Sequence, residues 1–411
     1  MAIIDKNDGR MKLLYLVQYF RFPDQTGSTR PYDLASAFAE KGIDVTIIAS
    51  DDTGNATEKW AYIERDGLKV YRLNCPYDNK MGFYRRITAF CKFFTQASFK
   101  QSSIDYDIML ASSTPLTNGI PALVANRFGR KPYVFEVRDV WPGVPIAMGY
   151  FKNSLVRKLL YTFEKRIYKR ASAIVPLSTG MDLNIKQRYP NEKSVVIPNI
   201  SELNRFAHIE KTVDIDFPVG KKIVLYAGTF GNVNGLSYVN RLAVKTLGVA
   251  PDLWYYLIGR GKEKEDNMKE ADELGVLNKN VFYFDPVRKD DLPYLYHSCS
   301  VGSSFVIDIP ALWDNSANKF FDTLAAGRPM VINHEGWQAD TIRQHNCGYV
   351  LPPKVTDEAA TEFVEYMFND ELLTKQGINA KQLAIDEFSL EVAVERYMEI
   401  FKRIDQKLKL E

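Results

Sequence analysis

The sequence predicts an α/β protein built from two doubly wound, Rossmann-like halves, on three observations. Short β-branched runs alternate with loops and helix-period segments near the start, and the same alternation restarts at Lys222. The chain has 411 residues, too many for one ordinary domain, and its 46% hydrophobic and 25% charged content can fill two cores. Between the halves, residues 202–216 are polar and aperiodic. The expected division is an N-terminal extension at 1–10, a first domain at 11–202, a second at 203–385, and a closing helix within 386–411.

Bulk properties exclude several classes. A net charge of +2 gives no global preference for nucleic acid. Cys75, Cys91, Cys299 and Cys347 are scattered without a CxxC, and the four histidines are equally dispersed. Neither a disulfide framework nor a zinc site is indicated, and no metal is expected. No apolar run approaches the roughly 18 residues of a membrane span. Residues 1–10 lack the apolar core of a secretory signal, so a cytoplasmic compartment is expected.

In the first half, residues 11–18 (MKLLYLVQ) read as a strand, 19–27 as a loop, and 29–41 as a helix burying Leu34, Ala37 and Phe38 and stopped by Gly42. A second strand at 44–50 completes a βαβ unit, but no GxGxxG is present, which argues against a dinucleotide oxidoreductase. Residues 58–74 read as a hairpin turning at Asp66-Gly67. Two basic, aromatic-rich stretches stand out. Within 75–103, Lys80, Arg85, Arg86, Lys92 and Lys100 face a single acid, Asp78; within 150–170, seven Lys and Arg face only Glu164. Such helices suit an anionic bilayer surface, and equally two amphipathic helices with solvated faces. Further strands at 107–112 and 133–137 flank a helix at 117–128, and the latter strand runs into Glu136-Val137-Arg138-Asp139-Val140-Trp141-Pro142. Ligands of open α/β sheets sit at that strand end; an Arg–Asp surface pair beside a packing Trp is the alternative. A strand at 173–177, a helix start at Ser178, and a strand at 195–199 close this half.

The second half opens with a strand at 222–227 and a glycine-spaced loop, Gly228-Thr229-Phe230-Gly231-Asn232-Val233-Asn234-Gly235, whose amides can approach a diphosphate. Strands at 253–258 and 281–284 follow, with Arg260 set between Gly259 and Gly261. Then comes the stretch Asp314-Asn315-Ser316-Ala317-Asn318-Lys319-Phe320-Phe321-Asp322, ending Leu-Ala-Ala-Gly-Arg-Pro. Ser316 or Asn318 is expected to cap a helix stopped by Gly327 and Pro329. Lys319 in the first turn, where the helix dipole prefers an acid, makes sense if an anion docks there. Asp322, a turn further on, can accept hydrogen bonds from vicinal hydroxyls. An ordinary capped helix with solvated charges remains the bland alternative. Gly336-Trp337 reads as a lip of the same pocket, and the final helix carries Val394, Tyr397, Ile400, Phe401 and Ile404 on one face.

Asp314 and Asp322, with seven residues between them and leading into that helix, resemble the Glu-x7-Glu donor motif of the retaining glycosyltransferases of family 4. Together with the E-V-R-D-x-W-P segment, they look most like the bacterial N-acetyl-L-fucosamine transferase branch of O-antigen, capsule and exopolysaccharide synthesis. The resemblance implies the GT-B fold: two facing Rossmann-like domains, an interdomain cleft, and a last helix crossing back to the first domain. It implies transfer of a sugar, with retention, from a nucleotide-diphosphate donor (a UDP-sugar favoured) to a lipid-linked or saccharide acceptor. It also implies no metal or other cofactor, and peripheral attachment to the inner face of the cell membrane. By the resemblance Asp322 binds the ribose and Asp314 lies near the donor sugar, each one methylene shorter than the usual Glu. Arg138 and Asp139 stand where a His-Asp pair is common. Gly27, Ser28, Arg30, Glu136 and Trp141 fall on the acceptor side. Gly228, Thr229, Gly231, Asn234, Gly235, Val287, Ser316, Ala317 and Asn318 fall around the donor. Thr229 and Asn234 replace the usual Arg and Lys of the glycine loop, leaving Lys319 and Arg260 to supply the charge. A sugar-nucleotide 2-epimerase of the same fold and a non-catalytic, membrane-associated binding protein are the rival readings; the first would need cleft histidines, and the second leaves the donor constellation unexplained.

Overall fold

The computed structural model describes residues 10–25, 27–54, 57–77, 81–190, 192–211 and 213–410. The expected extension at 1–10 lies outside the described residues except for Arg10, as do Asp78 and Lys80 of the first basic stretch. The chain forms two units: one runs to Pro198 and resumes at Ala393, and the other is Asn199–Val392. The sequence reading set these divisions at 202/203 and 385/386.

The first unit is a seven-stranded sheet of β1 (Lys12–Tyr19), β2 (Asp44–Asp51), β3 (Trp60–Arg65), β4 (Leu68–Asn74), β5 (Ile108–Ser112), β6 (Tyr133–Val137) and β7 (Ala173–Pro176). Their order is β3-β4-β2-β1-β5-β6-β7. Only the β3–β4 hairpin is antiparallel, adding an edge to an otherwise parallel sheet. Without β3 the order is the doubly wound 3-2-1-4-5-6 arrangement. Leu13 to Val17 are buried in succession, the near-continuous apolar run of a strand covered on both faces.

Helices α1 (Arg30–Glu40), α2 (Phe83–Lys100), α3 (Gly119–Gly129) and α4 (Ser154–Arg170) belong to this unit. Helix α1 buries Leu34, Ala35 and Phe38; Ala37, expected inside, is only half-buried. Phe38 meets Tyr397 and Phe401 of the last helix (Leu390–Leu410) edge-on, at 5.6 and 5.4 Å between ring centres. All five residues expected on that helix's apolar face are buried. Residues 195–199, read as a strand, are not one: the preceding Ser194 makes an isolated bridge with Ile174, and Val195 and Ile197 each donate one backbone bond to β7. Pro198 has no N–H with which to continue the ladder.

A buried ionic network ties the last helix to the sheet. Glu136 of β6 is 0% exposed and Arg30 is 4% exposed, and they pair at 2.8 Å. Glu136 also accepts hydrogen bonds from Ser112 and Tyr397, both at 2.6 Å, and Arg30 donates to the Pro198 carbonyl at 3.1 Å. Burial pushes the Glu136 carboxyl upward, but Arg30, Arg138 and the two hydroxyls outweigh it and hold the group below the usual range. Arg30 and Glu136, expected on the acceptor side, are enclosed and paired with one another, with the Arg30 Nε left without a partner. Removing one partner of such a pair strands a buried charge. Glu136→Ala is expected to cost about 3–5 kcal/mol in urea unfolding, and Arg30→Met combined with Glu136→Leu to cost less than the single change.

The second unit is a six-stranded, wholly parallel sheet of β8 (Lys222–Thr229), β9 (Leu253–Arg260), β10 (Val281–Phe284), β11 (Val301–Ser304), β12 (Met330–Ile332) and β13 (Gly348–Val350). Its order, β10-β9-β8-β11-β12-β13, repeats the doubly wound pattern, so the topological switch lies between β8 and β11. Helices α5 (Asn318–Ala325) and α6 (Asp370–Phe388) pack together in this unit. Phe320 and Phe321 of α5 enter a core with Trp337 and Phe388. Trp337, expected as a pocket lip, is thus a core residue, and its indole N–H donates to the Asn315 carbonyl at 3.1 Å.

Candidate functional site

The β8 end and the start of α5 meet at the switch point of the second unit. Strand β8 finishes at Gly228-Thr229, and the chain turns through a short helical segment at Asn232–Asn234 into Gly235 in a left-handed conformation. The Asn234 side chain accepts from the Gly231 N–H at 3.3 Å, so Asn234 shapes the turn from within. Gly259 has a φ of +145°, and a Cβ there would lie 1.8 Å from the Gly228 carbonyl oxygen. Only glycine lets β8 and β9 close at this level. Arg260, next in line, is exposed, and its carbonyl accepts from the Phe230 N–H at 2.9 Å.

Helix α5 begins at Asn318 with Ala317 as its N-cap and no side-chain cap. The expected capping by Ser316 or Asn318 does not occur. Asn199 donates to the Ser316 carbonyl at 2.7 Å and to the Asn318 side chain at 3.2 Å, which draws Asn318 away from a capping role. The Ser316 hydroxyl and the Asn315 side-chain oxygen are buried without protein partners. First-turn amides left without a cap present partial positive charge, the usual arrangement for an anion.

Lys319 points its ammonium back over β8. The nitrogen lies 4.8 Å from the Tyr226 ring centre, and a Cβ on Gly228 would come within 3.1 Å of it. The side chain as a whole keeps some exposed surface, while its charged end is enclosed by the strand and the ring. Burial pulls this ammonium down to about 8, with Asp322 opposing the shift. Lys319 forms no ion pair among the described residues, so the enclosed charge lacks a protein counterion.

Asp322, one turn further, has its carboxyl raised to about 7 by burial and then by the negative charge of Glu202, against Lys289, Arg205 and Lys319. Glu202 itself receives Lys289 and, at 2.5 Å, Arg205; Arg205 also reaches Asp290 at 3.0 Å. Sequence reasoning missed this cluster. Glu202 and Arg205 sit in the stretch read as a linker, and nothing in the order of residues brings Lys289 to them. Asp314 is half-buried on the loop between β11 and α5. Val287, after β10, is half-buried and packs on the core beneath that loop.

In the first unit, Arg138 and Asp139 follow β6 at its C-terminal end. Asp139 is exposed and accepts from the Thr114 hydroxyl at 2.8 Å, while the Arg138 N–H donates to Ser113 Oγ at 2.8 Å. Trp141 lies edge-on to Phe151 at 5.8 Å and packs on the core. Gly27, exposed with a φ of +127°, and half-buried Ser28 lie in the loop after β1. Among the described residues, no group of three or more His, Cys, Asp or Glu is arranged to hold a metal ion.

Residues 26–200 match the family described as glycosyl transferase 4-like domain, and residues 209–383 match glycosyl transferases group 1. The glycosyl transferase WcaI of Escherichia coli (strain K12), named for colanic acid biosynthesis, is 31% identical over 168 residues, covering 39% of this chain and 40% of that protein. The chain thus spans less than half the length of this curated relative. Among solved structures, sucrose-phosphate synthase from Thermosynechococcus elongatus superposes with a TM-score of 0.76 at 14% identity, covering 97% of this chain and 100% of the other. HepE of Anabaena, in complex with UDP and glucose, gives a TM-score of 0.65 at 14% identity, covering 96% and 100%. These likenesses establish the GT-B fold.

The position of Asp322 fixes the sign of a pH effect. Its native carboxyl holds a proton between about pH 4 and 7 that the unfolded chain has lost, so stability from this group falls as pH rises through that window. Asp322→Asn should therefore be more stable than the parent at pH 8, by on the order of 2–4 kcal/mol, with the gain shrinking towards pH 4. Thermal unfolding at both pH values measures this.

Proposed function

We propose, for a chain that belongs to the GT4-like, group 1 glycosyltransferases, that it moves a sugar from a nucleoside-diphosphate donor to a lipid-linked or saccharide acceptor. The observation that carries this reading is the ammonium of Lys319, enclosed without a protein counterion beside the uncapped start of α5. A diphosphate placed there would meet the first-turn amides, the amides of the Gly228–Gly235 loop and the Lys319 charge together. The lysine is costly to bury alone, and an anionic ligand supplies what it lacks. Uracil is the favoured base, because HepE of the same fold binds UDP.

In the transfer, the bond from the anomeric carbon to the leaving diphosphate breaks and charge gathers on the phosphate oxygens. Lys319, the helix start and Arg260 would stabilise that charge without reorganising. Asp322 would accept hydrogen bonds from the ribose hydroxyls, and Asp314 would orient the donor sugar. Retention follows if the acceptor hydroxyl attacks the face the diphosphate leaves, passing its proton to a departing phosphate oxygen. No protein nucleophile is then required, and neither is a metal. Arg138 and Asp139 are proposed to contact the sugar or the acceptor. The biological setting proposed is bacterial surface polysaccharide assembly, with the N-acetyl-L-fucosamine transferase branch as the nearest pattern. Lys319→Ala should lower acceptor-dependent nucleotide release by about 100-fold or more while leaving the melting temperature of the apo protein equal or higher. A fully active variant would refute the role.

The first unit supports peripheral attachment to an anionic leaflet. No helix among the described residues is long and apolar enough to cross a membrane. Helix α3 packs against both α2 and α4, and these neighbouring helices expose Tyr84, Phe99, Phe128, Leu155 and Leu159, with Phe128 80% exposed. Lys158 and Lys165 of α4 are exposed among them. Charge near an anionic surface contributes about 1 kcal/mol per residue. Lys158→Gln with Lys165→Gln is expected to weaken sedimentation with phosphatidylserine vesicles about tenfold or more, without affecting binding of the nucleotide.

A further inference from the structure

A second basic cavity lies at the other end of the donor unit. It has a volume of about 540 Å³ and is lined by residues at the start of β8, after α5 and along α6. Strand β8 enters it at Lys222 and ends seven residues later beside the glycine loop, so the two sites are separated by about 20 Å at a strand rise of about 3.3 Å per residue. Its volume falls within the range of small-molecule sites.

The wall carries three cations and one acid. Lys222 is paired with Asp370. Arg328 and Lys381 form no ion pair among the described residues. Arg328 donates to the His297 carbonyl through Nη2, while its Nε is buried without a partner. Lys381 donates to the Ala325 carbonyl at 2.6 Å, at the last turn of α5. Burial pulls both the Lys381 ammonium and the His297 imidazole below their ordinary ranges, and Arg328 and Lys381 each disfavour charge on His297. Both cations line the same cavity with only carbonyl oxygens as partners, and the chain beside Arg328 is close to Lys381: a Cβ on Gly327 would lie 3.5 Å from the Lys381 Cβ. Leu373 and exposed Ile378 add an apolar wall beside them.

We propose that this cavity is a separate binding site for a small phosphorylated molecule, whose phosphate sits between Arg328 and Lys381 and whose organic part lies on Leu373 and Ile378. The helix dipole of α5 opposes an anion at this end, but the Ala325 carbonyl is already met by Lys381, and two full charges exceed the partial one. A phosphate accepts from the forked Arg328 guanidinium, whose residue keeps exposed surface on the cavity wall.

The test is titration of inorganic phosphate into the full chain at constant ionic strength, read as the melting temperature, with the donor site saturated by UDP or disabled by Lys319→Ala. A saturable rise is expected in both backgrounds. Lys381→Gln should weaken the apparent affinity at least tenfold. Thr374→Glu, which places a carboxylate at an exposed position on the cavity wall and removes nothing buried, should do the same. No saturable rise, or an equal rise in both variants, overturns the proposal. A rise that survives in these variants but vanishes with UDP or Lys319→Ala assigns the phosphate to the donor site instead, and also overturns it.

Discussion

The enclosure of the Lys319 ammonium between Tyr226, Gly228 and the first turn of α5 is the constraint on which the donor unit turns. The parallel sheet puts the β8 and β11 loops side by side at the switch point, and the glycines at 228 and 259 bring the backbones close enough to surround a charge. The aromatic core of Phe320, Phe321, Trp337 and Phe388 holds α5 so that its uncapped end faces the same space. A lysine in that position is costly to the empty protein, and on the proposed reading an anionic ligand offsets that cost. Asp322 is likewise disfavoured as an ion, by burial first and then by Glu202.

The first unit uses a buried charge differently. Arg30 and Glu136 neutralise one another, and Ser112 and Tyr397 also donate to the Glu136 carboxylate. The network fixes the end of β6 and the last helix. Arg138 and Asp139 follow immediately and inherit that position while staying accessible. One unit thus pairs its buried charge within the sheet and last helix, and the other leaves the Lys319 ammonium without an ion pair among the described residues.

Much of this was legible in the order of residues. Most of the first sheet and the first three strands of the second follow from apolar, often β-branched runs separated by turns, and α5 was bounded by its apolar spacing and by Gly327-Arg328-Pro329. Lys319 stood out because a cation in the first turn contradicts the dipole preference. What escaped depends on contacts between distant residues. Tyr397 reaches Glu136 across 261 positions, so nothing near Glu136 in the order of residues marks it as enclosed. Ser316 and Asn318 have the chemistry of caps, yet Asn199 engages the Ser316 carbonyl and the Asn318 side chain, and Ala317 takes the cap position. Trp337 looked like a lip because it follows a glycine, while its ring completes the core beneath the Asp314 loop. The cavity at Arg328 and Lys381 gathers side chains from segments more than a hundred residues apart and has no local signature.

The most direct test of the account is calorimetric titration of UDP into the full chain in the presence of a chelator, for the parent protein, Lys319→Ala and Lys381→Gln. The account predicts one saturable site per chain, retained in Lys381→Gln and lost in Lys319→Ala. Absence of binding in the parent, or binding that survives Lys319→Ala and disappears with Lys381→Gln, would contradict the assignment of the donor site to the start of α5.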